Sequence, residues 1–142
     1  GTIAWRRVAF AVSSTTGVAF TSTPVLYDEA NQSTPLLGTT CVQSAVLVVC
    51  NSAQDQEVSG SKTYVLKTTI GGTIITGSSV SVNFASSGQS YSPPINAAGV
   101  LGTNARFVWS DESIIGHDGT TLDWNNDYLV KNLPTDSQTM TK

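Results

Sequence analysis

The 142-residue sequence predicts an all-β fold, an antiparallel two-sheet sandwich, on three observations. Apolar side chains recur at every second position in several separate runs, which is the spacing of half-buried strands. Clusters of Ser, Thr, Gly, Asn and Pro punctuate those runs at intervals suited to strands of about five to ten residues. Helical periodicity is nearly absent.

The first run, 4–14, sets Val8, Phe10 and Val12 on one face and Arg7, Ala9 and Ala11 on the other, and "SSTTG" at 13–17 ends it. "NQSTP" at 31–35 reads as a turn. Residues 44–50, "SAVLVVC", are apolar on both faces, as expected of a central strand covered twice or a strand inside an oligomer. After a turn at "SGS", 59–61, the run 61–70 places Tyr64, Leu66 and Ile70 against Thr63, Val65, Lys67 and Thr69. Gly71-Gly72, flanked by "KTTI" and "TIIT", predicts a hairpin, because both glycines accept positive φ. Val80, Val82 and Phe84 alternate within 77–85, "SSGQSYSPP" at 86–94 is turn-rich, and Phe107 pairs in phase with Trp109 within 104–111. Single helical turns fit "DESII" and "DWNNDYL". With no internal repeat and no linker, residues 1–142 read as one domain, long enough to bury a core.

Composition narrows the function. Charged residues make up 12% of the chain, about half the usual fraction, and Ser and Thr fill the gap. Seven scattered Lys and Arg with a net charge of −3 give no array to set against phosphates, so nucleic acid is not an expected partner. The longest apolar run, Ala45 to Cys50, is strand-sized and far short of a membrane span, so membrane insertion is not expected. A chain that opens "GTIAW" is expected to be a processed or excised piece, and its lack of a leader says nothing about compartment.

Cys41 and Cys50 are too few for a structural zinc site. Their spacing permits a disulfide. A tight turn at Gln43-Ser44 would instead set Cys41 against Val46 and Cys50 against Leu37, which forbids the bridge. The sequence leaves both arrangements open.

The stretch 111–127, "DESIIGHDGTTLDWNND", holds the single histidine and five of the ten acidic residues, so chemistry is sought there first. A Ser–His–Asp set can be drawn from Ser110 or Ser113, His117, and Asp111 or Asp118, but no nucleophile elbow accompanies it. Paired acids for glycoside hydrolysis need a cleft that a small sandwich seldom offers. No catalytic residue is assigned and no enzyme is expected. Asp123, Asn125 and Asp127 have the D-x-N-x-D spacing of a calcium loop's first ligands. Tyr128 then occupies the place of the required glycine and Pro134 that of the closing glutamate, so calcium is the candidate cofactor on ligand type alone. Trp124 and Tyr128 are candidate ligand-binding aromatics, whereas Trp109 is expected in the core.

The stretches "GTIAWRRVAFAVS", "SGSKTYVLKTTIGG" and above all "FVWSDESIIGHDGTTLDWNNDYLVKNLPTDSQTMTK" resemble Ig-like domains of large surface-layer or stalk proteins from small-genome, uncultivated bacteria. The similarity is strongest over 103–142, scattered over the first 70 residues and slight over 80–102. It implies an Ig-like antiparallel two-sheet β-sandwich of about seven to nine strands, located extracellularly at a cell surface, and it carries over no catalytic residue. The segment 111–127 then becomes a lid, with Leu122 and Trp124 packed on a sheet and Asp123, Asn125 and Asn126 satisfying backbone donors.

Two functions follow as expectations. The first is a non-enzymatic structural module of a surface layer, stalk or self-assembling extracellular filament. Its partners would be other copies of itself or further domains of a surface protein, met by β-augmentation along the first strand, through Ile3, Trp5, Val8, Phe10 and Val12. The second is a carbohydrate-binding or adhesin module that takes glycans at Trp124 and Tyr128, around calcium.

Overall fold

The alternation that opens the chain becomes β1 (Thr2–Ser14), and it forms the centre of the largest sheet. The computed structural model describes residues 1–86, 96–101 and 105–142, and over these the all-β expectation holds. One side of β1 pairs along its length with β6 (Leu47–Ser59). On the other side, Ala4 to Val8 pair with β10 (Phe107–Ser110), and Phe10 to Ser14 with β9 (Ser79–Phe84). The sheet continues outward through β11 (Trp124–Asn126) on β10, β12 (Gln138–Thr141) on β9, and β5 (Thr39–Gln43) on β6.

The expectation that β1 is a free assembly edge is therefore overturned. Trp5, Val8, Phe10 and Val12 lie where the strand's backbone is paired on both sides, and Ile3 is paired with Val58 just before the β10 pairing begins at Ala4, so the strand is central and not an edge open to a neighbour's strand. Removing residues 1–12 would remove the middle of the sheet.

β1 is not a regular strand. Trp5 opposes Gln56 while Arg7 opposes Asn51, so residues 52–55 of β6 bulge out opposite Arg6. The slip moves the alternation by one residue, so Trp5 shares the core face with Val8, where an unbroken strand would set them on opposite faces. The polar bulge is held by a buried side chain. Gln56 Nε2 donates to Ser52 Oγ and to the Leu37 carbonyl, each at 2.9 Å, which satisfies an amide sealed from water.

Over the core face lies a second layer. β3 (Val25–Asp28) pairs with β4 (Asn31–Pro35) and β7 (Tyr64–Lys67), and β2 (Val18–Phe20) pairs with β8 (Ile70–Gly72). The Thr21 N–H donates to the Thr69 carbonyl and the Thr68 hydroxyl to the Ser22 carbonyl, joining the two pairs into a nearly continuous ribbon. Leu26, Leu66 and Phe20 from this layer pack on Trp5, Val8, Val48 and Cys50. Trp5 meets Tyr64 edge to face at 5.4 Å and donates its indole N–H to the phenol. The opposite face of the large sheet has its own apolar patch, where Ala4, Val108 and Trp124 meet Ala97 and Val100 of the short helix α1 (Ala97–Leu101).

Several local expectations are corrected. "NQSTP" is not a turn but β4, because Asp28 Oδ1 accepts the Ala30 N–H and turns the chain before Asn31. The run expected at 61–70 divides into β7 and the start of β8. Gly71-Gly72 makes no hairpin: both pair with β2, and Gly72, at φ 93°, passes so close to the Gly17 carbonyl that no side chain fits. Within "DWNNDYL", Trp124–Asn126 form a strand in place of the helical turn, and the one described helix follows a stretch, 87–95, that lies outside the described residues together with most of the turn expected at 86–94.

The cysteines are bridged. The β5–β6 hairpin turns at Ala45-Val46, with the Ser44 N–H donating to the Leu47 carbonyl, so Cys41 faces Cys50 with Cα atoms 4.0 Å apart. The turn imagined at Gln43-Ser44 falls two residues early. The register that buries Val48 and Cys50 beneath the second layer, and leaves Val46 in solvent, fixes it where it is. Replacing both cysteines by serine is expected to cost about 2–3 kcal/mol, the loop-closure entropy of so short a ring. Urea unfolding of the variant beside the oxidised wild type measures the loss, and an unchanged midpoint would show that the hairpin is already ordered in the unfolded chain.

Candidate functional site

The β6 bulge delivers Asp55 to the far side of the large sheet, where it forms an ion pair with Arg6. The segment after β10 folds back over this pair. His117, its side chain only 10% exposed, lies tilted over Trp124 at 5.1 Å between ring centroids, with Nδ1 donating to Asp123 Oδ2 at 2.9 Å. Its Nε2 stands 3.7 Å from Asp55 Oδ2, an ion-pair distance beyond hydrogen-bond reach. The Arg6 guanidinium also lies over the Trp124 ring, 5.4 Å from its centroid, and a Cβ at Gly119 would collide with it. Trp124 is 1% exposed and donates its indole N–H to the Asp118 carbonyl at 2.9 Å.

The acids of the segment are taken up in local bonds. Burial opposes the charge on Asp123, but hydrogen bonds from Thr121, His117, Ser110 and the Ile114 N–H outweigh it and hold the carboxyl below its ordinary range. Asp118 is likewise lowered, by the Thr120 hydroxyl and then the Thr120 N–H. Of the residues expected to satisfy backbone donors, Asp123 accepts the Ile114 N–H, and Asp111 and Asp118 join it by accepting the Ser113 and Thr120 N–H groups. Asn126 does cap, accepting the Arg106 N–H at 3.0 Å.

His117 therefore meets Asp123, Asp55 and Thr121, not Asp111 or Asp118 as the sequence-drawn triad would have it. This arrangement clasps a polar segment to a sheet. The calcium candidates are likewise committed elsewhere: Asp123 bonds Thr121 and His117, whereas Asp127 accepts the Phe107 N–H and the Ser86 hydroxyl. Among the described residues, no three His, Cys, Asp or Glu side chains gather in a way that could hold a metal ion. Trp124 offers no open face for a sugar ring, while Tyr128 is 39% exposed. Leu122 points outward at 50% exposure instead of packing the lid down.

Two surface features remain. One is a cleft of about 200 Å³ beside β11, walled by Trp109, Tyr128, Asp111, Asp123 and Asn125 among others. The other runs along the second layer. Among the described residues β7 pairs only with β3 and β8 only with β2, so their outer edge is open. Two apolar recesses follow that edge, one of about 360 Å³ at Tyr64, walled by Phe84 and Phe107, and one of about 200 Å³ at Ile70, walled by Val80 and Met140.

Comparison with protein-family models, with curated proteins and with solved structures finds no match. Among the described residues no helix is long and apolar enough to cross a membrane.

Asp55 and Arg6 are the members of the His117 cluster that sequence reasoning missed. Nothing in "NSAQDQE" marks a strand that carries an acid to a histidine far along the chain. Because the folded-state carboxyl of Asp123 is depressed, its contribution is present above its ordinary value of 3.8 and lost as pH falls through the lower folded value. Asp123→Asn is expected to flatten the acid limb of the melting-temperature profile between about pH 5 and pH 2. A variant as acid-sensitive as wild type would remove Asp123 from the clasp.

Proposed function

We propose that the chain is a non-enzymatic structural module of a bacterial cell surface, an Ig-like sandwich that contacts copies of itself, or neighbouring domains of a surface-layer, stalk or filament protein, through its strand edges. The observation that carries this reading is the open β7–β8 edge above an apolar floor formed by β9, β10 and β12. An added strand would find unpaired backbone groups on one side and recesses for alternate side chains beneath, the two requirements of β-augmentation. The added strand would lie over Phe84, Phe107, Val80 and Met140, which line the two recesses.

Other features support an extracellular setting. The Cys41–Cys50 bridge suits an oxidising compartment. The histidine and acids of 111–127 hold the segment to the sheet, which accounts for their clustering without a reaction.

Electron microscopy and sedimentation of the purified protein test the proposal. Ordered polymers or concentration-dependent oligomers are expected. Met140→Lys, at a 62% exposed position on the groove floor, is expected to weaken assembly at least about tenfold while leaving the melting temperature unchanged, since an inward-pointing charge blocks strand addition. A wild-type chain that stays monomeric at all concentrations would overturn the reading, as would a variant that assembles equally well.

A further inference from the structure

We propose that the cleft beside β11 receives the cationic side chain, lysine or arginine, of a partner protein. The inference does not rest on the strand-edge reading, since the cleft lies at the β11 edge of the large sheet.

Three properties of the cleft converge on this ligand. Its ionisable lining is acidic: Asp123 is taken up by His117 behind the cleft wall, whereas Asp111 is exposed, and among the described residues no lysine or arginine lines the cleft to balance it. Its apolar lining is unusually open: Leu122 is 50% exposed and Leu129 75%, a surface suited to a methylene stem. Trp109 and Tyr128 add aromatic faces that attract a cation. The Trp109 N–H already donates to the Tyr128 carbonyl at 3.1 Å, so the indole presents its ring and not its donor.

Asn125 supplies the independent observation. It lines the cleft, is 8% exposed, and its Oδ1 finds no hydrogen-bond donor among the described residues. A buried amide oxygen in this state is costly, and native structures seldom leave one so. What the site lacks is donors and positive charge, and an ammonium or guanidinium brings both. A neutral saccharide would bring donors but leave the exposed Asp111 carboxylate uncompensated.

The test is titration of the isotope-labelled full chain, followed by amide and indole resonances, with n-butylammonium and n-butylguanidinium. n-Butanol and methyl β-glucoside form the neutral arms. Saturable shifts at the Trp109 indole, the Asn125 side-chain amide and Tyr128 are expected from the two cations alone, weakening as salt is raised. Asp111→Asn keeps an acceptor for the Ser113 N–H and is expected to reduce cation affinity about tenfold, the size of a charge-assisted hydrogen bond. Equal shifts from n-butanol would show a merely apolar cleft, and saturation by the glucoside alone a sugar site. Either result overturns the proposal, as do the absence of saturable cation binding and an Asp111→Asn variant that binds as tightly as wild type.

Discussion

The slip between β1 and β6 at Arg6 is the constraint on which the rest of this molecule depends. Two long strands that stayed in register would keep one face for the core and one for water. Because residues 52–55 loop out against Arg6, the alternation resets within β1, and both halves of the strand present their apolar residues to the core. The same loop projects Asp55 to the opposite face. There it meets Arg6, and together they build the polar floor on which His117 and Trp124 settle. The bulge thus serves the core and the clasp at once, and the buried Gln56–Ser52 bond fixes its shape.

What could be read in advance followed from period and volume. The second half of β1, and β9 and β10, were legible because each alternates cleanly and one face of each is buried against the second layer. Trp109 and Phe107 fell on the core side for the same reason. The second half of β6 was not legible: "NSAQDQEVS" lacks apolar alternation over the bulge, and its pairing is set by β1 instead of by its own residues. β4 escaped because a fully exposed edge strand needs no apolar face. Gly71-Gly72 misled because glycine marks close approach as readily as it marks a turn, and here the close approach is to Gly17.

The functional segment was half legible. Its concentration of acids and the single histidine announced a structured place, and of the two roles read for Trp124, anchor and sugar-binding face, its burial fits the anchor. Which acid the histidine would meet depended on a distant bulge and on one-residue differences in a loop rich in hydrogen-bonding side chains. Local spacing suggested Asp111 or Asp118, but those carboxylates were claimed first by nearby backbone N–H groups. Asp123 takes its own local bonds, from Thr121 and the Ile114 N–H, together with that of His117.

The directions of the first and last strands carry a mechanical consequence. β1 and β12 both run antiparallel to β9, so they point the same way, and Thr2 and Thr141 lie toward opposite poles of the sheet. Traction applied through those two residues slides the strands past β9 instead of peeling them off it. The five rungs between β1 and β9 and the four between β9 and β12 are then loaded together in shear. Rupture under such a pull is governed by the unfolding rate rather than by equilibrium stability. A modest stability can therefore coexist with long endurance under tension.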